Sequence, residues 1–258
     1  MLASCQDGAA HNPFTGGSAN ERRPQGRRLT ELLTPGTEPN RRWMRQLDDV
    51  ATALTELQAA GVVVLWRLFP EFNGDWFWWG AAADGQDYIA LWRQTHDYLT
   101  TTRHLSNLIW VWAGSRESGP WMQPLAKYYP GAAYVDVVGL DVYIDVLDQA
   151  SVKAYRDLTA LGKPFVLAEY GPDNRTTTPR GALDLTTLIP QLKRLMPRTV
   201  YFKFFSDYIV PQGYTGPAHN MYWSILSNQR GGELLRDPWV VNADQVPAFG
   251  RGTRAAQP

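Results

Sequence analysis

The chain has 258 residues, 25 basic and 25 acidic side chains, zero formal net charge and 44% hydrophobic residues. That balance excludes a disordered chain and removes any overall electrostatic pull toward nucleic acid or an anionic membrane, so a neutral partner fits better. The single cysteine, Cys5, excludes an internal disulfide, and no Cys/His cluster has zinc spacing.

Residues 1–46 are rich in Gly, Pro and Arg and read as loop, with one helical turn over Leu29–Leu33. The Arg-rich stretch from Glu21 to Arg28 reads as a solvated loop rather than a nucleic-acid arm. From Leu47 the pattern alternates. Leu47–Leu57 has apolar residues at helical spacing and stops near Gly61. Val62–Phe69 is a continuous apolar run, as expected of a parallel strand covered on both faces. Tyr88–Thr102 reads as a helix, Leu108–Trp112 as a strand, Met122–Tyr128 as a short helix and Val135–Tyr143 as a strand. A helix over Ser151–Leu161, a strand over Pro164–Gly171, a helix over Leu185–Met196 that Pro190 should kink or divide, and a strand over Thr199–Phe205 complete the series. Five strands in β-α alternation predict a parallel α/β barrel or open sheet in one domain over 1–250, with 251–258 as a frayed tail.

Chemistry concentrates at strand ends. Glu71 follows the apolar run of the first strand, and Asn73, Trp76, Trp78 and Trp79 follow it within eight residues. A carboxylate beside several indole rings suits a sugar, whose ring face stacks on tryptophan. Glu169 ends the strand Val166-Leu167-Ala168 in the same manner. Two strand-end carboxylates that converge satisfy the requirement for glycosidic hydrolysis. In the retaining form they stand roughly 5–5.5 Å apart. Arg67 is placed to lower a neighbouring carboxylate's pKa, while Phe69, Phe72 and Trp76 offer apolar walls that keep an acid protonated. Tyr143 is a candidate donor to the nucleophile, and Asp141 a candidate partner for Arg67 or a sugar hydroxyl. Trp110 and Trp112 share a strand face, with Trp110 read as core and Trp112 as cleft lining. Trp223 is a candidate stacking platform, and His96 and His104 read as surface residues. No Ser-His-Asp arrangement, phosphate loop or HExxH pattern is present.

The segment Trp66–Gly80 resembles the W/F-R-P-x-H-E-M-N-G-x-W-F-W-W-G segment of glycoside hydrolase family 26 β-mannanases. Further matching stretches are Tyr88–Arg93, Asn107–Trp112, Tyr129–Gly131, Tyr134–Tyr143 and Lys163–Gly171. The resemblance implies a (β/α)8 TIM barrel, with Glu71 as acid/base after the fourth strand and Glu169 as nucleophile at the seventh. It implies that Tyr143 bonds the nucleophile, that Trp76 flanks the sugar, and that Arg67, Asn73 and Asp141 form the polar shell. The implied activity is retaining endo-hydrolysis of β-1,4-mannan outside the cell, with no metal or cofactor in the reaction. Mixed-linkage glucan or xylan, or a non-catalytic carbohydrate-binding role, are the alternatives.

The family's usual His before the acid/base is Pro70 here, and its Trp-His pair falls on Gly8 and Ala9 if Asn12-Pro13 is the anchor. On this numbering the first two strands are missing and Met1–Gln6 is a stump of the third, so the expected barrel is incomplete. Met1–Asp7 lacks the basic and apolar regions of a secretion signal, and no stretch has the length and hydropathy of a membrane span.

Overall fold

The computed structural model describes residues 2–4, 11–18, 21–82, 85–117, 119, 122–173, 181–210 and 219–246. The expected tail over 251–258, Cys5 and the Gly8–Ala9 positions lie outside the described residues. Two compact units are distinguished: residues 1–170 with 198–203, and residues 171–197 with 204–258.

The first unit is built on a sheet of six strands arranged in sequence order: β1 (Leu2–Ser4), β2 (Val64–Arg67), β3 (Leu108–Ser115), β4 (Val137–Tyr143), β5 (Phe165–Gly171) and β6 (Thr199–Phe204). The pairs β1/β2, β2/β3 and β3/β4 are parallel, with Leu2 opposite Leu65, Val64 opposite Leu108 and Val111 opposite Val137. Helices α1 (Glu38–Ala59), α2 (Gly85–Asp97) and α3 (Gln149–Thr159) alternate with these strands. This is the topology of a (β/α)8 barrel, of which the described residues supply six strands. Leu2–Ser4, expected as part of a strand, pairs with the strand that leads to Glu71.

The sheet's two faces differ in what they carry. Val111 and Ala113 of β3 join Val137, Val166 and Ala168 in one buried aliphatic cluster. Trp110 and Trp112 point to the opposite face, because successive strand residues alternate. Trp110 packs against Trp92 and His96 there, and Trp112 stacks on Phe72 with ring centroids 4.7 Å apart. The aliphatic face is close-packed around Gly139. A Cβ at that position would stand 2.8 Å from Val166 Cγ2 and 3.1 Å from the Cβ atoms of Ala113 and Ala168.

Several expected boundaries move. Helix α1 begins at Glu38, nine residues before the apolar periodicity becomes evident at Leu47. Its start is set by Thr37, whose hydroxyl accepts from Asn40 N at 3.2 Å, and by Pro39 in the first turn, where a missing N–H costs no helical bond. Trp43, Leu47, Ala51 and Leu54 then form its buried stripe. Helix α2 gives way to a wide π-helical turn over Tyr98–Thr102. Strand β2 is shorter than its apolar run, because Phe69 and Glu71 on either side of Pro70 take positive φ values of 45° and 52° and turn the chain out of the sheet. Strand β3 is longer than expected and reaches Ser115. His96 is half-buried between Trp110 and Tyr134 rather than on the surface, whereas His104 is exposed.

In the second unit, α4 (Leu188–Leu195) follows a 3-10 turn over Leu185–Thr187, so Pro190 falls in the first turn of α4 and divides rather than kinks the segment. A hairpin of β7 (Tyr208–Val210) and β8 (His219–Met221) and a short α5 (Gly231–Leu235) were not legible as elements in the sequence. Trp223 packs edge-on against Phe205 and Tyr208 within this unit.

Because Val166, Ala113 and Ala168 crowd Gly139, the substitution Gly139→Ala is expected to destabilise the protein by about 1–3 kcal/mol. A urea melt reads this as a lower midpoint at constant slope. An unchanged midpoint would mean that the strands separate without cost.

Candidate active site

The charged centre lies where β2, β4 and β5 end. Arg67 is the last residue of β2, Asp141 lies two residues before the end of β4 and Glu169 two before the end of β5. Parallel strands deliver these three side chains to one end of the sheet, the end that carries catalytic groups in barrel enzymes. All three are buried, at 1%, 1% and 3% exposure. The Arg67 guanidinium divides its two terminal nitrogens, Nη1 donating to Glu169 Oε1 and Nη2 to Asp141 Oδ2. Burial opposes the charge on Arg67, but Asp141, Glu169 and Glu71 outweigh it and raise its pKa, so the guanidinium stays charged. Asp141 is pushed well above the usual carboxylate range, chiefly by burial, with Arg67 pulling the other way.

Glu169 is further fixed by Tyr143, whose hydroxyl donates to Oε2 at 2.6 Å. Burial first, then the negative charges of Glu169 and Glu71, push the Tyr143 phenol well above its ordinary pKa and keep it a neutral donor. Each oxygen of Glu169 thus accepts a bond, one from Arg67 and one from Tyr143.

Glu71 is held differently. It is half-buried, on the turn after β2, and its backbone N–H donates to Ala113 O at 3.1 Å. The Trp76 indole Nε1 donates to Glu71 Oε2 at 2.7 Å. Burial and then the charge of Glu169 raise the Glu71 pKa to about 7; Arg67, Trp76 and the Ser115 side chain oppose the rise. One oxygen from each of Glu71, Asp141 and Glu169 lies within 4.8 Å of the others. Among the described residues this trio is the one acidic or His/Cys grouping close enough for a shared cation. Arg67 already bonds two of its members, so the charge that a metal would neutralise has a resident partner.

The remaining expected site residues take other places. Asn73 is fully buried and spends its amide on the chain beside it: Nδ2 donates to Ser115 O at 2.8 Å, and Oδ1 accepts from Ser115 N at 2.9 Å. That reciprocal pair clasps the Glu71 turn to the end of β3 and leaves neither end of the amide directed at a ligand. Trp112 is 1% exposed and stacked on Phe72, so it packs behind the site and does not line it. Trp78 and Trp79 are likewise fully buried, in a cluster with Trp43 and Phe69. Of Trp76, Trp78 and Trp79, only Trp76 keeps exposed surface. Trp223 belongs to the second unit. Ser115 was missed by the sequence reading. It lies beyond the apolar run of β3, opposite Asp141 in register, and a polar residue after Ala113-Gly114 carries no periodic signal.

Residues 29–245 match the model of glycosyl hydrolase family 26. The chain is 38% identical over 226 residues to mannan endo-1,4-beta-mannosidase A and B of Caldalkalibacillus mannanilyticus, covering 83% of this chain and 39% of that protein. It is 34% identical over 223 residues to mannan endo-1,4-beta-mannosidase of Bacillus subtilis, covering 84% and 55%. The chain therefore spans about half the length of the curated relatives it matches or less. Among solved structures, mannanase man26 of Bacillus subtilis superposes with a TM-score of 0.73 at 31% identity over 91% of this chain and 64% of that one. The beta-mannanase from a symbiotic protist of the termite Reticulitermes speratus, complexed with gluco-manno-oligosaccharide, gives 0.66 at 25% identity over 93% and 67%. With the family model matched over most of its length, this chain belongs to glycosyl hydrolase family 26.

Proposed function

We propose that the protein is a retaining endo-β-1,4-mannanase, with Glu71 as general acid/base and Glu169 as nucleophile. The observation that carries the reading is the pairing of two carboxylates within 4.8 Å in opposed environments. Glu169 has both oxygens bonded, to a guanidinium and a phenol; Glu71 is desolvated and raised to about 7. A separation of this order suits double displacement and leaves no room for the water that an inverting pair activates between its members. The curated relatives are named as mannan endo-1,4-beta-mannosidases, which supports mannan as the substrate class. A polymer of that size is degraded where it is met, so we place the activity outside the cell.

In the first step the Glu71 proton passes to the glycosidic oxygen while a Glu169 oxygen attacks the anomeric carbon. The glycosidic bond breaks and a glycosyl ester forms. In the second step the ionised Glu71 takes a proton from water, the hydroxide oxygen attacks the same carbon, and Glu169 leaves as carboxylate. Arg67 and Tyr143 orient Glu169 for attack and stabilise its charge when it leaves. Trp76 presents the half-exposed ring beside Glu71, where a sugar face stacks. A glucan-cleaving reading has one observation of its own, a match of 26% identity over 131 residues to endoglucanase H of Acetivibrio thermocellus, and a panel of mannan, mixed-linkage glucan and xylan decides between them.

Glu71→Gln is expected to lower turnover on β-1,4-mannan by about 10²–10⁴-fold. Glu169→Gln is expected to abolish it, with both variants folded by circular dichroism. Reducing-end assays measure the loss, and NMR of the first product should show the β-anomer. Undiminished hydrolysis by either variant, or an α-anomer first, would refute the assignment.

The raised Glu71 value predicts a basic limb of kcat/KM near pH 7, since the acid must be protonated in the free enzyme and loses its proton above about 7. The same shift has a sign for stability. The group's contribution is full below its ordinary value of 4.5 and is lost as pH rises through about 7. Melts of the wild type across that window should therefore fall with pH more steeply than those of Glu71→Gln.

Arg67→Met leaves Asp141 and Glu169 buried without their cation, and is expected to cost about 3–5 kcal/mol in denaturant. A loss below 1 kcal/mol would show that the carboxylates find water or each other.

A further inference from the structure

The indole that bonds Glu71 lies across Gly74. A Cβ built on Gly74 would stand 2.1 Å from Cη2 and from Cζ3 of Trp76 and 2.5 Å from Cζ2. Atoms do not approach so closely, and a tryptophan ring has no soft end to swing aside. The backbone of Gly74 sets no other requirement, since its φ is not positive. On its other side, the Gly74 carbonyl oxygen is so near Gly80 that a Cβ there would stand 2.2 Å from it. The loop is closed by Gly74 N donating to Glu71 O at 3.0 Å and by Ala81 N donating to Phe72 O at 2.8 Å. Two bare glycines thus compact residues 71–81, and the indole they admit directs its N–H at Glu71 Oε2, 2.7 Å away.

We propose that Gly74 is a positioning residue for the acid/base: its missing side chain is the seat on which the Trp76 indole lies, and only from that seat does Nε1–H reach Glu71. The inference rests on the reading of Glu71 as acid/base, and its consequence is directional. The N–H favours the ionised carboxylate, so losing it raises the pH at which Glu71 gives up its proton. A phenyl ring at position 76 has no second ring over Gly74 and no donor, so it removes both the clash and the bond.

Indole ¹H–¹⁵N spectra of the intact protein, recorded from roughly pH 5 to 9, test this without any substrate. Trp76→Phe identifies the Trp76 resonance by its loss, and Glu71→Gln supplies the non-titrating control. In the wild type the resonance should titrate near pH 7. In Gly74→Ala it should move upfield and lose at least about half of its pH-dependent shift. On mannan, Gly74→Ala should lower kcat about tenfold with KM changed less than about twofold, and move the basic limb up by about half a unit to one unit. In the Trp76→Phe background the same alanine should change either quantity less than about twofold, because the two residues act as one unit.

An unchanged Trp76 titration in Gly74→Ala overturns the proposal, as does an alanine effect of equal size in both backgrounds. If Gly74→Ala does not fold, the double variant decides: folding supports the indole as the obstacle, and failure to fold shows that the glycine is needed for another reason and overturns it. A wild type that titrates as described but does not cleave mannan would refute the proposed function and leave the positioning role standing.

Discussion

One guanidinium organises this site. Arg67 bridges two buried carboxylates, Asp141 and Glu169. Transferring an unpaired carboxylate into such surroundings costs several kcal/mol, and Arg67 offsets that cost while burial still holds Asp141 well above the usual carboxylate range. In the reaction we propose, the shared cation orients Glu169 as the nucleophile, and it requires the C-terminal ends of β2, β4 and β5 to come together.

The same cation explains why the two glutamates diverge. Both of the terminal guanidinium nitrogens are committed to Glu169 and Asp141, so Glu71 feels Arg67 only through space. What acts on Glu71 at short range is desolvation and the negative charge of Glu169, and together these exceed the help from Trp76 and Ser115. Desolvation first and the charge of Glu169 second hold Glu71 at its raised value, while the terminal nitrogens of Arg67 are spent elsewhere. In the double displacement we propose, Glu169 loses its charge when it becomes an ester, and the largest charge effect raising Glu71 goes with it, so that Glu71 can serve as acid in the first step and base in the second.

Much of this was legible from residue order, because strand ends are marked where an apolar run meets a charge. Val64–Arg67 and Val166–Glu169 announce Arg67 and Glu169 in that way, and Asp141 and Tyr143 share a strand by plain alternation. What escaped was set by contacts between distant segments. Trp76, Trp78 and Trp79 are equivalent in composition, yet two of them are fully buried against Trp43 of α1, Phe69 and each other, and loop residues have no period from which a face is read. Asn73 was expected in the polar shell of the site from the family resemblance. Its amide instead completes the backbone of Ser115, forty-two residues away, a pairing that depends on β3 running past its apolar stretch. The early start of α1 was marked only by Thr37 and Pro39, before any hydrophobic period begins.

The burial of those aromatics has a mechanical meaning for Glu71. Phe69 and Glu71 hold positive φ values on both sides of Pro70, a conformation that a bulky residue adopts only when its surroundings compel it. Phe69 is fully buried against Trp43, Trp78, Trp79 and Tyr88, and Trp79 Nε1 donates to Pro70 O at 2.7 Å. Phe72, on the other flank, packs between Tyr88, Trp112 and Tyr128. The strained turn is thus clamped before and after Glu71 by rings that cannot move without opening the core. Abundant tryptophan, which at first suggests sugar stacking, acts here mainly as masonry behind the carboxylate. In the role we propose for it, Glu71 gives up and recovers a proton in each turnover, and it gains from a backbone that does not follow it, because every displacement would have to be reversed before the next bond is broken.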